Sequence, residues 1–451
     1  MSSIQTATII AAYLLLMLAI GVRGPRLKGL DDFHLAGRRL RFVLLTGTIC
    51  ATIMGASSTL GMAGLGFSKG MPGAWWMLSG TLGMLVLSFF FAERIRASGY
   101  LTLPELVGSF YGERARMAAS ALISVSWLGV IAVQIIAAGK VLSAVLGGPG
   151  ILFMAGCTLV FILYTAHGGQ SSVVRTDLAQ LLIIITGMVV LFFKGGSYAG
   201  FDLLLAQSFP VSEQMGGWDV ASMAAVVGSA YLVGPDMYSR LLCSHSPGEA
   251  RTSALASAII LIPLAFLITS LGVFCRSLYP AAQPEQAALL LLGDLSPGIE
   301  GLVAAALLAA FMSSADTSLM TVTSILTFDI YKKARPLSGP EHLLTVSRAA
   351  VLLTGLFALL LAALMPGIIK TLLLAYTIFT GGLLVPVVAG FYRERLGLTS
   401  WGALSAMLGG GATALFFGQM YPLLAMCVSL VLLISVSCLE RRAADCSSGS
   451  R

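Results

Sequence analysis

The chain has 451 residues, 57% of them hydrophobic and only 10% charged, with a mean hydropathy of +0.92 and a formal net charge of +7. An ordinary soluble domain is about 25% charged, so this chain cannot cover a water-facing surface: a soluble enzyme, a secreted module and a disordered chain are all excluded. A polytopic membrane protein remains, and its basic excess reads as cytoplasmic loop charge rather than as a nucleic-acid footprint.

A membrane span needs about 20 mostly apolar residues, and thirteen runs qualify. Span 1 is 4–22; it is too long for a signal-peptide core and lacks a basic leader, so it is expected to be retained. Spans 2 and 3 are 41–66 and 72–92. Spans 4 to 6 are 118–146, 150–166 and 173–194. Spans 7 to 9 are 217–236, 250–275 and 298–330. Spans 10 to 13 are 343–366, 369–391, 399–418 and 420–438. Connections are short, so one helical domain is expected. The seven cysteines are scattered with no CxxC pair, which suggests packing residues rather than disulfides or a zinc site.

The 27 Lys and Arg residues fix an orientation. Lys69, Lys194, Arg276 and Lys370 fall in the even-numbered loops and Lys140 inside span 4, leaving 22 in the odd-numbered loops and the C-terminus. Arg26, Lys28, Arg240 and Arg451 are among those 22. Under the positive-inside rule the N-terminus is outside and the C-terminus inside.

Most acidic residues lie in loops or at helix ends, but Asp177 and Asp316 fall within spans 6 and 9. In span 9, Ser313, Asp316 and Thr317 stand at i, i+3 and i+4, on one helix face that Thr321 and Ser324 continue. Such a face offers the hard oxygen ligands that a hard cation prefers; the alternative is hydroxyls that join helices or bond their own backbone.

Two spans should be broken. Span 2 contains Met54-Gly55-Ala-Ser57-Ser58-Thr59-Leu-Gly61, and span 7 contains Gly228-Ser-Ala-Tyr231-Leu-Val-Gly234-Pro235-Asp236. Irregular backbone at membrane depth is tolerated where it is buried or lines a cavity. Spans 2–6 and 7–11 have opposite topology, and matched broken helices in an inverted repeat point to a transporter's central binding site.

Several motifs resemble the sodium:solute symporter family, the group of bacterial proline and sugar symporters. They are Asp32-Phe33-His-Leu-Ala-Gly37-Arg38, Leu103-Pro104-Glu105 and the stretch from Gly168-Gly169 through Arg175-Thr176-Asp177 to Gln180. Two more are the segment ending in Ser239-Arg240, and Ser313-Ser314-Ala-Asp316-Thr317 running to Asp329-Ile-Tyr331-Lys332. The resemblance implies an all-α, leucine-transporter-like fold of about 13 transmembrane helices with a five-plus-five inverted-repeat core. Residues 41–197 would form the first repeat and 217–392 the second; 1–40, a first helix and inner loop, and 393–451, two C-terminal helices and a tail, would be peripheral.

The resemblance also implies a sodium site between spans 2 and 9, formed by the carbonyls of Ala51, Met54 and Ala310 and the hydroxyls of Ser313 and Ser314. A second cation, Na⁺ or a proton, is expected at Asp177, Ser313, Asp316 and Thr317. Arg175, beside Asp177, could pair with it and compete with that cation. The alternative is an Asp316 that closes a structural network.

Solute-binding candidates are Ser57, Ser58 and Thr59 on span 2, Gln134 and Lys140 on span 4, Tyr231 on span 7, and Tyr376, Thr377 and Thr380 on span 11. Amides freed at the break would suit a substrate carboxylate. Lys140 either anchors an anionic solute or snorkels outward. Ser58 falls where sugar-transporting members carry an amide, which argues against a sugar.

The expectation is a sodium-coupled symporter, acting as a monomer in a bacterial inner membrane. It would import a small solute, an amino acid or other small carboxylate, with no cofactor beyond Na⁺ and no nucleic-acid partner. The alternatives are a proton-coupled or uncoupled transporter, a channel, and an intramembrane enzyme. No HExxH, GxSxG elbow or Walker loop supports the last, and His34, His167, His245 and His342 are isolated.

Overall fold

With no water in the hydrocarbon core, a spanning chain must satisfy its own backbone, which leaves helices for an open chain. The computed structural model describes residues 2–23, 29–365, 367–417 and 421–448, and these form helices with no strand beyond isolated bridges. Arg26, Lys28 and Arg451 of the charge sort, and the span edges set at 366, 418 and 420, lie outside the described residues.

Ten described helices are long and apolar enough to cross a bilayer. An eleventh follows when Phe42–Ile53 and Ser57–Lys69, bent by 63° at a short break, are taken as one span. The thirteen expected spans reduce to this number in two places. Spans 5 and 6 are two helices within Gly150–Ala199, joined across a kink at Gly169, whose φ 55° and ψ −143° are not helical. Together they hold 50 residues, enough for two crossings of a hydrocarbon core of about 30 Å at 1.5 Å per residue. Span 12 is the separate 18-residue helix Ser400–Phe417. Gly169 is in the left-handed region, and a Cβ there would stand 2.3 Å from the Phe33 carbonyl oxygen, so only glycine fits.

The helices divide into centre and periphery. The apolar stretch of Pro297–Ala334, which holds span 9, is 78% buried, whereas those of Ile4–Val22 and Leu423–Ala443 are 28% buried. Span 9 is therefore the axis around which the others pack.

Both expected breaks are present. Span 2 stops at Ile53 and restarts as a wide π-type turn over Ser57–Gly61. Span 7 is split into Gly217–Val233 and Pro235–Leu242 at Gly234. Pro235 has no amide for the Tyr231 carbonyl, so the ladder stops there; the Tyr238 amide bonding the Gly234 carbonyl at 3.0 Å restarts it.

Candidate cation and solute site

At the break of span 2, hydroxyls take over donor positions that amides fill in a regular helix. Ser313 donates to the Ala51 carbonyl at 2.8 Å and lies 3.0 Å from that of Ala310; Ser314 donates to the Thr52 carbonyl at 2.6 Å. The Ser58 hydroxyl bonds the Ile53 carbonyl, and that of Thr59 bonds Gly55. The Met54 carbonyl carries no hydrogen bond among the described residues. Gly55 permits the close approach: a Cβ there would stand 2.6 Å from the Ser314 hydroxyl and 3.0 Å from Gln134 Oε1. Ala51, Ala310, Ser313 and Ser314 thus meet at one buried seam, and Met54, also buried, directly follows the helix that ends at Ile53.

Of the four residues expected to share a second cation, Asp177 and Thr317 meet at a guanidinium, while Asp316 has a different side-chain partner. Asp177 Oδ2 accepts from the Thr48 hydroxyl and from the Arg240 guanidinium at 3.0 Å. The same guanidinium bonds the Thr317 hydroxyl and reaches Thr52 Oγ1 at 3.4 Å. Asp316 instead accepts from the Tyr164 hydroxyl at 2.5 Å, and its Oδ1 has no hydrogen-bond partner among the described residues. Two corrections follow. The cation beside Asp177 is Arg240 rather than Arg175, which is half-buried and makes no ion pair with it. Arg240 is no loop charge either: it is fully buried, held by a carboxylate 63 positions away, as the desolvation cost of a lone cation requires. The other buried pair, Arg116 with Asp329 at 2.6 Å, closes the far end of span 9, where Thr102 also bonds Asp329.

Above the seam lies a cavity of about 30 Å³, with room for water but not for an organic solute. Of the solute-binding candidates, Ser57, Gln134, Tyr231 and Tyr376 line it. Gln134 Oε1 takes the Ala56 amide at 2.8 Å, so this amide freed by the break already has a partner. Tyr231 lies against Gly80, where a Cβ would be 2.9 Å from the ring.

The remaining candidates fall elsewhere. Ser58 and Thr59 bond the backbone of the break, while Thr377 and Thr380 bond carbonyls of their own helix, Leu373 and Tyr376. Lys140 faces outward, 3.1 Å from Glu285 with both side chains partly exposed, because a flexible ammonium stem reaches water more cheaply than it is buried.

Among the lining residues not expected to bind solute are Asp236, Trp127 and Ser318. Asp236 looked like a helix-end charge, yet it opens the second half of span 7 at the cavity wall. Trp127 and Val130 precede Gln134 by seven and four positions, so helical spacing could have grouped the three. Ser318 follows Ser314 by four in the same way.

A profile of the sodium:solute symporter family matches residues 33–410. The sodium/glucose cotransporter of Vibrio parahaemolyticus is 26% identical, the alignment covering 90% of this chain and 84% of that protein. The sodium/pantothenate symporter of Escherichia coli (strain K12) is 27% identical over 89% and 88% of the two chains. The sodium/proline symporter of the same strain is 25% identical over 90% and 86%. A solved Na⁺-coupled sialic acid symporter superposes with a TM-score of 0.82 at 19% identity, covering 96% of this chain and 98% of its own. MhsT in complex with L-phenylalanine does so at 0.61 and 12%, over 87% and 98%. The fold is that of leucine-transporter-type sodium symporters, and the protein is a multi-pass membrane transporter rather than an enzyme. The chain belongs to the sodium:solute symporter family.

Proposed function

We propose that this sodium-coupled symporter holds its coupling ion in the seam between spans 2 and 9 and imports an amino acid or other small carboxylate. The observation that carries the ion site is the pair of span 9 hydroxyls on the carbonyls of an opened turn. A desolvated Na⁺ entering there exchanges two hydroxyl–carbonyl hydrogen bonds for contacts with five oxygens, those of Ala51, Met54, Ala310, Ser313 and Ser314. The ion then ties the opened turn of span 2 to the most buried helix of the molecule, and the solute cavity shares a wall with that turn. Ion and solute thereby stabilise the same closed arrangement, which is the differential interaction that coupling needs.

The transport cycle is alternating access, with 41–197 and 217–392 rocking against one another and the N-terminus outside. The basic-residue split supports this orientation and survives the burial of Arg240, which leaves 21 cations on the inner side against 4. The membrane is a bacterial inner membrane, and the working unit is a monomer.

The solute reading draws on relatives named for proline and pantothenate and on Ser58 in the break. A second cation is proposed at Asp316, as Na⁺ or as a proton. Arg240 pairs with Asp177, whereas Asp316 is buried with no ion-pair partner among the described residues, its one side-chain donor being the Tyr164 hydroxyl, and a buried carboxylate without a paired cation favours neutralisation. Uptake of a labelled solute panel into proteoliposomes, with and without a sodium gradient, tests the whole reading: sodium-dependent accumulation of an amino acid supports it, and sodium-independent equilibration contradicts it.

A further inference from the structure

Of the lining residues of the central cavity, Asp236 alone is charged. One of its oxygens takes the Met237 amide at 3.0 Å, and no side chain donates to either oxygen among the described residues. A carboxylate offers about four acceptor positions, so most of this one's capacity is unspent at the cavity. The nearest guanidinium, Arg240, one turn on along the same helix, directs its hydrogen bonds to Asp177, Thr317 and the Thr52 hydroxyl rather than to Asp236. No Lys or Arg is among the residues that line the cavity.

Three aromatic side chains share the cavity with it: Trp127, Tyr231 and Tyr376. Trp127 is fixed by Phe379 at a centroid distance of 4.7 Å, edge to face, and by Tyr376 at 6.5 Å. Ring faces around a carboxylate attract cations, and the attraction grows when water is excluded. The polar remainder is neutral: Ser57, and Gln134, whose carbonyl is already used by the Ala56 amide.

We propose that the solute is recognised by an ammonium group, with Asp236 as its counter-ion and Trp127, Tyr231 and Tyr376 as its aromatic wall. This rests on the symport reading of the same site and narrows it, since an amino acid fits and a carboxylate without an amine does not. The cavity must widen to admit such a solute, and the hinge at Gly234, two residues from Asp236, lets the carboxylate move with that opening.

The test uses the purified full chain and the shift of its thermal unfolding on titration with L-alanine, L-proline, ethanolamine, choline, propionate and D-glucose, each in sodium and in potassium. Alanine and propionate differ only in the amine. The expected result is saturable stabilisation in sodium by at least one ammonium-bearing probe and none by propionate or glucose. In Asp236→Asn the apparent affinity for that probe should fall about ten- to hundredfold, the loss expected for a hydrogen bond to a charged partner. Sodium alone should still stabilise the variant.

Asp236→Glu should recover part of the affinity. Saturable binding of propionate or glucose, no response to any ammonium-bearing probe, or unchanged affinity in Asp236→Asn would each overturn the proposal. So would loss of the sodium response in Asp236→Asn, because Asp236 would then be an ion ligand. Should that variant not fold, the alanine and propionate titrations of the unaltered chain decide. Absence of any sodium response in the unaltered chain is the separate failure of the ion site itself.

Discussion

Asp177 is linked to Thr52 of span 2 through Arg240, and Asp236 lines a cavity with Thr52, yet the chain treats the two carboxylates differently. Asp177 is closed off: Thr48 and Arg240 bond it, and Arg240 reaches on to Thr317 and Thr52. Asp236 shares a cavity wall with Thr52, and among the described residues only backbone amides, including that of Met237 at 3.0 Å, donate to it. A buried carboxylate compensated from within holds helices in register, while one left facing a cavity is available to a ligand. The Asp177 side is thus braced from within, and the Asp236 side is the one proposed for recognition.

The largest effect should come from breaking the closed side. Arg240→Met leaves Asp177 buried and unpaired, and should cost about 3–5 kcal/mol of stability in chemical unfolding of the detergent-solubilised protein. The double variant Arg240→Met/Asp177→Leu should regain most of that, because a matched apolar pair restores compensation. A single-variant loss below about 1 kcal/mol, the scale of an exposed pair, would mean the pair is not a structural lock.

A pH effect, small per pH unit, is expected at the loop following span 1. His34 is buried between the Ser324 and Ser347 hydroxyls, each 2.8 Å from a ring nitrogen, and desolvation lowers its pKa from 6.5 to about 3. Below pH 6.5 the unfolded chain binds a proton that the folded chain refuses. The stability this neutral ring contributes is therefore complete above pH 6.5 and lost as pH falls toward 3, at up to about 1.4 kcal/mol per pH unit. His34→Gln should flatten this slope in denaturation curves; an equal slope in the variant would assign the pH dependence to other groups.

At the boundary between the two sides stands Asp316. Asp316→Asn should lower the cooperativity of uptake in sodium or remove its pH dependence. If neither changes, Asp316 serves only to close a network with Tyr164. The smallest effect is expected at Lys140, which pairs with Glu285 at the surface. Lys140→Ala should change stability by no more than about 1 kcal/mol and leave uptake unaltered, and a loss of carboxylate competition in that variant would return Lys140 to the solute site.

Much of this architecture can be read from the chain because its signals are local. Apolar runs gave the spans, and Gly55 and the Gly234-Pro235 pair gave the breaks. The spacing of Ser313, Asp316 and Thr317 gave a polar helix face. That spacing did not reveal that Asp316 turns to Tyr164 while Thr317 turns to Arg240, since their partners lie 152 and 77 positions away. Arg240 and Asp236 were hidden for a related reason. A charge at a helix end reads the same in sequence whether it faces water, a buried partner or a cavity, and only packing separates the three.

The most direct test of the ion site is equilibrium binding of radiolabelled sodium to the purified chain and to Ser313→Ala/Ser314→Ala. Losing both hydroxyl ligands should weaken binding by about tenfold to hundredfold or more while the fold, read from helix content, persists. Sodium binding of unchanged affinity in that variant would contradict an ion held between spans 2 and 9.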